Sequence, residues 1–196
     1  MRKKKEIILG IDGSTTKTGI AIYDKNHNVI LKYDVLDAVT NTNQEKFKDN
    51  KKLTLTAKKR EMNRIKQENM EKRVNYIIEG IHQVINEYKP TKIIMEDIYA
   101  KKDMNAYKWL ARIQGYIYAY QILNKIEVIF VTPSMWRKWH GIKTTKNKVR
   151  LKRDDLKKED IKYVKTKLKD IVKTDKKLTD DGADAICLAT YKEYRG

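Results

Sequence analysis

The sequence predicts an α/β fold: a mixed five-stranded sheet, three antiparallel strands followed by parallel ones, flanked by helices. Two patterns carry this expectation. Early in the chain, short apolar segments are separated by a tight turn, as in a meander. Later, brief apolar runs each follow a helical period, as in parallel strands joined by crossovers. A third observation sets the scale: 196 residues close one good core and are too few for two large lobes facing each other across a cleft. One domain is expected over residues 1–196, with basic insertions at about 41–72 and 143–157.

Taken in order, Glu6 to Asp12 reads as a fully buried strand, and Thr18 to Asp24 alternates like a strand with one covered face. A turn at Asn26-His27-Asn28 returns the chain through Val29 to Leu36. Val74, Ile77, Ile78, Ile81, Val84, Ile85 and Tyr88 form one helical stripe that Pro90 stops. Lys92 to Met95 and Val128 to Val131 are the parallel strands, and a helix from about Met104 to Leu123 lies between them. A short helix follows Pro133, Ile161, Val164, Leu168 and Ile171 mark another, and the last begins near Asp181. The stretches 41–72 and 143–157 carry too little apolar surface to be domains and read as mobile basic arms, helical extensions or loops.

Lysine and arginine number 44 against 26 aspartate and glutamate, a formal charge of +18 that repels itself unless a polyanion shares the surface. Nucleic acid is the expected partner. No apolar run approaches the ~18 residues needed to span a bilayer, and the Lys-rich start leads into a strand with no signal-peptide core, so the cytoplasm is expected and no membrane. Cys187, the single cysteine, sits in an apolar helical run and reads as a small core residue. No two of His27, His82 and His140 have metal-ligand spacing.

Asp12 and Glu96 close two strands that are able to lie side by side, and Asp181 and Asp184 are three apart at a helix start, on one face. Any one of them alone reads as a cap or an ion-pair partner. Together, four converging carboxylates repel by roughly 4 kcal/mol per close pair at an effective dielectric near 20, and so call for cations. Oxygen ligands without histidine or thiolate point to Mg2+ or Mn2+. Two such ions ~3.5–4 Å apart serve phosphodiester hydrolysis.

These residues resemble the RuvC-type Holliday-junction resolvases, an RNase H-like family. The resemblance rests on Ile8-Leu9-Gly10-Ile11-Asp12-Gly13-Ser14 with Gly19, on Ile94-Met95-Glu96-Asp97-Ile98-Tyr99, and on Asp181-Gly182-Ala183-Asp184-Ala185. From about Lys72 to Gly115, with Gly80 and Pro90, it runs without a gap. It implies an endodeoxyribonuclease with Asp12, Glu96, Asp181 and Asp184 as catalytic and metal-binding residues, two Mg2+ per site, and a homodimer that nicks opposing strands of a four-way junction. Tyr99 stands where the family places an aromatic wedge against junction bases, the alternative being a cap on the sheet edge. Lys101, Lys102, Arg137, Lys138, Lys157 and Lys158 are the further candidates for DNA contact. The 104–123 helix resembles the family's dimer helix, and its aromatics Tyr107, Trp109, Tyr116, Tyr118 and Tyr120 are too many for one core face.

The two basic insertions exceed the bacterial pattern. They add phosphate contacts without base readout, so cleavage of branched DNA with weak sequence preference is expected. Trp136 and Trp139 read either as a stacking platform or as core. The richness in Lys, Asn and Ile suggests an AT-rich genome, and the short chain a phage. Three alternatives stay open: the YqgF-like branch acting on RNA; an actin-like ATPase, because residues 12–19 also resemble a phosphate-binding turn; and a nucleic-acid-binding module without catalysis.

Overall fold

In a computed structural model, described here for residues 5–48, 54–98, 104–173 and 177–192, β1 (Ile7–Asp12), β2 (Lys17–Asp24) and β3 (Val29–Asp37) form the antiparallel meander. Beyond them β4 (Lys92–Glu96) and β5 (Glu127–Val131) add in parallel, giving the order β3-β2-β1-β4-β5. β1 is central, which is why its Ile7, Ile8, Leu9 and Ile11 are all apolar and buried.

Successive side chains of a strand point to opposite faces. Ile7, Leu9, Ile11, Ile93 and Met95 therefore pack on one side, against α2 (Leu55–Tyr88) and α3 (Met104–Leu123). Ile8 and Ile94 pack on the other, against α4 (Pro133–His140), α5 (Arg153–Lys167) and α6 (Asp180–Ala189). Asp12 and Glu96 fall in phase with this second set.

From Leu55 onward the 41–72 insertion takes the helical form among those expected. After a single turn, α1 (Ala38–Asn41), the chain enters α2 at the Thr54 cap, whose hydroxyl accepts from the Ala57 amide at 3.3 Å, and continues for 34 residues. At 1.5 Å per residue that is about 50 Å. Its buried residues are Ile65 and then only those from Val74 onward, so the N-terminal half projects past the sheet. Lys89, left-handed at φ 48°, ends it before Pro90. The 143–157 insertion folds as a two-strand hairpin, β6 (Thr145–Lys146) with β7 (Val149–Arg150), and the first turn of α5. Helix α5 stops at Lys167, earlier than its apolar period predicts, and Leu168 and Ile171 enter the core from the turn beyond. The Ile30 amide donates to the Ile171 carbonyl there, at 2.8 Å.

Small residues decide how α6 sits. A Cβ on Gly10 would stand 2.3 Å from the Ala185 carbonyl and 2.4 Å from the Ala189 amide; one on Gly19 would stand 2.1 Å from the Asp181 carbonyl. Helix α6 thus lies with its backbone on β1 and β2. Eight of its ten residues, Gly182 to Ala189, are buried, and burying Ile186 and Leu188 in the core on this side of the sheet stabilises it by roughly 1.5–3 kcal/mol per side chain.

Candidate active site

Register places the first pair. In the parallel pairing of β1 with β4, Ile11 is opposite Met95, so the next residues, Asp12 and Glu96, leave neighbouring strands at the same level and toward the same face. Thr179 caps α6 by accepting from the Gly182 amide at 3.1 Å, and the first two turns then carry Asp181 and Asp184 over the end of β1. All four carboxylates line one cleft of about 1150 Å³, together with Ser14 to Lys17, Arg150, Arg153 and Lys157. Ala106 and Leu110 of α3 close its far wall.

The electrostatics follow from this crowding. Burial first, then the charges of Glu96 and Asp181, push the Asp12 carboxyl up to about 8. Asp184 is raised by burial, then by Asp12 and Asp160, and Asp181 by burial and Asp180. Two internal cations oppose the build-up. Arg137 donates to Asp160 from Nε at 3.1 Å and Nη2 at 2.8 Å, and its Nη2 lies 3.7 Å from Asp184 Oδ2. Lys157 pairs with Asp180 and lies 3.8 Å from Asp181. As the side chains stand, no three acidic, histidine or cysteine residues among the described residues are arranged to hold a metal ion. One group is left over: Asp184 Oδ1 is buried and accepts no hydrogen bond. Leaving such an oxygen unbonded costs on the order of 1–3 kcal/mol, and hard, anionic donors around it suit a divalent cation.

The expected DNA contacts divide. Arg137, expected to reach a substrate, borders the cleft but is committed inward: its side chain is 12% exposed, Asp160 is fully buried beneath it, and its guanidinium stacks on Trp136 at 4.3 Å. Lys157 is in the cleft wall. Lys138 is exposed on α4, and Lys158 is exposed and pairs with Asp155 at 3.4 Å; neither lines the cleft. Tyr99, Lys101 and Lys102 lie outside the described residues. Asp160 was not anticipated, although an acid in step with Leu156 and Val164 on a helical stripe is a readable signal. Lys17, Arg150 and Arg153 were not singled out either.

Other side chains resolve into structure. Trp136 is fully buried, with its indole donating to Glu96 at 3.4 Å, and Trp139 packs edge-on against His140 and Tyr191, so the pair is core. His27 pairs with Asp24, and His82 bonds the Tyr116 and Tyr120 hydroxyls. His140 is held between the Cys187 carbonyl and the Tyr163 hydroxyl. Cys187 is fully buried. In the turn after β1, hydroxyls of Thr18 and Ser14 already accept from the Ser14 and Thr16 amides, so these two amides are not free to cradle a phosphate. Among the described residues no helix is long and apolar enough to cross a membrane.

A mixed five-stranded sheet of this order, with acidic residues at the ends of β1 and β4 and on the last helix, defines an RNase H-like nuclease domain. The chain belongs to the family of crossover junction endodeoxyribonuclease RuvC, whose model matches residues 50–191, and it is accordingly an endodeoxyribonuclease. Solved structures with the same fold include Thermus thermophilus RuvC in complex with Holliday junction substrate (11% identity, TM-score 0.54, covering 93% of this chain and 90% of that one). The fowlpox virus resolvase in complex with Holliday junction DNA is similar at 18% identity and TM-score 0.53, over 93% of both chains. The yeast mitochondrial Holliday junction resolvase matches at 13% identity and TM-score 0.53, over 94% of this chain and 78% of that one. No curated protein matches the sequence.

Proposed function

We propose that this chain is a divalent-metal-dependent nuclease that nicks Holliday junctions and other branched DNA, with Asp12, Glu96, Asp181 and Asp184 as its metal-binding residues. The observation that carries the reading is the meeting of these four carboxylates in one cleft, with Asp184 Oδ1 buried and unbonded. Mg2+, for which Mn2+ substitutes, would be held there as two ions, and when bound it supplies the Lewis acidity that activates water and carries the charge of the leaving oxygen.

The remaining work falls to the chain. Lys17, Arg150, Arg153 and Lys157 on the cleft walls attract the phosphate backbone and set its path. Arg137, fixed by Asp160, holds Asp184 in place rather than contacting DNA. Trp136 orients Glu96. Tyr99, Lys101 and Lys102, in the segment just after Glu96, and the exposed Lys138 and Lys158 stay as proposed DNA contacts by resemblance. Because these basic groups meet phosphates and not base edges, sequence preference is weak.

A homodimer fits the outer face of α3. Tyr118, Ile122 and Leu123 are exposed there, and a side chain at Gly115 would meet nothing within 4 Å, leaving room for another helix to approach. Ile122→Glu should convert a dimer to a monomer in sedimentation, and a wild-type protein that sediments as a monomer at all concentrations sinks this part of the reading.

The deciding experiment is Mg2+-dependent nicking of a synthetic four-way junction beside linear duplex. Selective nicking of the junction, lost in Asp12→Asn with binding retained, supports the assignment. Cleavage of RNA in preference to branched DNA, or none of either, refutes it.

A further inference from the structure

A second groove, of about 680 Å³, lies between the projecting half of α2 and the start of α3. Lys66 and Arg73 on α2 and Lys108 and Arg112 on α3 line it, with Asn and Gln side chains between them and Trp109 at its wall. Unlike the first cleft, it has no acidic residue in its lining among the described residues, and none of its four cations is in an ion pair there. Nearby charges on α2 are already matched: Arg64 is paired with Glu61 and Glu68, and Lys72 with Glu45. Arg73 Nε is buried without an acceptor, and Arg112 lies over the Trp109 ring at 4.0 Å.

The groove is also built to hold its shape. Asn69 and Glu45 exchange two hydrogen bonds of 2.7 Å, which fasten the segment before α2 to the helix. Lys66 and Arg73, seven residues apart, stand about 10 Å apart along the axis, roughly three nucleotide steps of a strand. Helix α3 is the shared wall: Ala106 and Leu110 face the acidic cleft, while Lys108, Trp109 and Arg112 face the groove. One helix diameter, about 10 Å, separates the two.

We propose that this groove is a second nucleic-acid site, which grips the sugar–phosphate backbone of one arm of the branched substrate on the far side of α3 from the cleft. The inference rests on the nuclease reading above. Cations with amide side chains suit phosphate and sugar oxygens, and a half-buried indole suits an unpaired base at the branch. The groove adds affinity for an arm and takes no part in bond cleavage.

The test compares Lys66→Gln/Lys108→Gln with wild type and with Lys162→Gln/Lys165→Gln, an equal change of charge on the exposed face of α5. Junction affinity is measured against salt without divalent metal, and nicking at saturating junction with Mg2+. The groove variant should flatten the logarithmic salt slope by ~1.8 and weaken binding roughly tenfold or more at 0.1 M salt, with the saturated nicking rate unchanged. The difference should vanish on a junction whose arms are trimmed too short to pass α3. An unchanged slope, an equal loss in the α5 control, or a fall in the saturated rate each overturns the proposal. Failure of the wild type to nick would refute the nuclease reading separately, since the slope is read without metal.

Discussion

Asp160 and Arg137 form a buried, doubly hydrogen-bonded ion pair directly beneath the acidic cleft, and Arg137 extends from it to Asp184. Two oxygens of a carboxylate that never meets solvent thus fix a guanidinium that in turn steadies a proposed metal ligand.

Removing one partner of such a pair strands the other. Asp160→Asn is expected to cost about 3–5 kcal/mol of folding free energy, measured by urea denaturation, and Arg137→Met a similar amount. The double variant should recover part of the loss, because no bare charge is then left inside. Additive losses would show that the two do not depend on each other.

The raised Asp12 carboxyl links stability to pH. Its protonation is favoured in the folded state, so in metal-free protein the stability it contributes is full below pH 4 and is lost as pH rises toward about 8. Asp12→Asn should therefore be more stable than wild type at pH 8, by an amount on the order of a few kcal/mol, with the gap closing toward pH 4. Adding Mg2+ should narrow the gap at pH 8 by stabilising the wild type alone. A gap independent of pH would exclude this account.

His140 runs the opposite way. The Cys187 carbonyl can only accept, so Nε2 carries the proton and Nδ1 accepts from Tyr163; burial lowers the ring from 6.5 to about 4. The unfolded chain takes up a proton first as pH falls, and roughly 3 kcal/mol is lost between pH 6.5 and 4. His140→Gln should flatten that limb of the stability profile, at the cost of a lower plateau at neutral pH.

Gly10→Ala tests the seating of the last helix. With 2.3 Å to the Ala185 carbonyl, the added methyl group displaces backbone rather than a side chain, at an expected cost of 1–3 kcal/mol or more. Nicking should fall further than junction binding, because Asp181 and Asp184 move with α6 while Lys17 on β2 and Arg150 on β7 do not. Equal losses would point to general unfolding.

The sheet was readable because the strands are short apolar-rich runs, and turns or proline mark the ends of several; the burial of β2 was underestimated, since Thr18 to Asp24 read as having one covered face and are buried on both. The acidic positions were readable for a different reason: Asp12 and Glu96 interrupt apolar runs where a strand must end, and the DxxD of α6 adds the second pair. What periodicity could not supply was the state of the basic residues. From sequence, Arg137, Lys138, Lys157 and Lys158 look alike; only the fold puts Asp160 under the first and Asp180 beside the third. The end of α5 was overestimated because Leu168 and Ile171 keep the helical period while leaving the helix, and core packing does not require helical backbone. Residues 41–72 lacked an apolar stripe, so nothing in their pattern distinguished an extended helix from an arm.

Cys187 gives the molecule a built-in reporter. Its thiol is wholly covered, on the side of α6 turned toward Asp160 of α5 and Arg137 of α4, and burial raises it well above its ordinary ionisation range, so an alkylating reagent reaches it only when these helices part from α6. Three residues away on the same helix is Asp184. The labelling rate of this one sulfur therefore counts how often the layer that carries the proposed catalytic acids opens, in protein that still looks folded by every bulk measure.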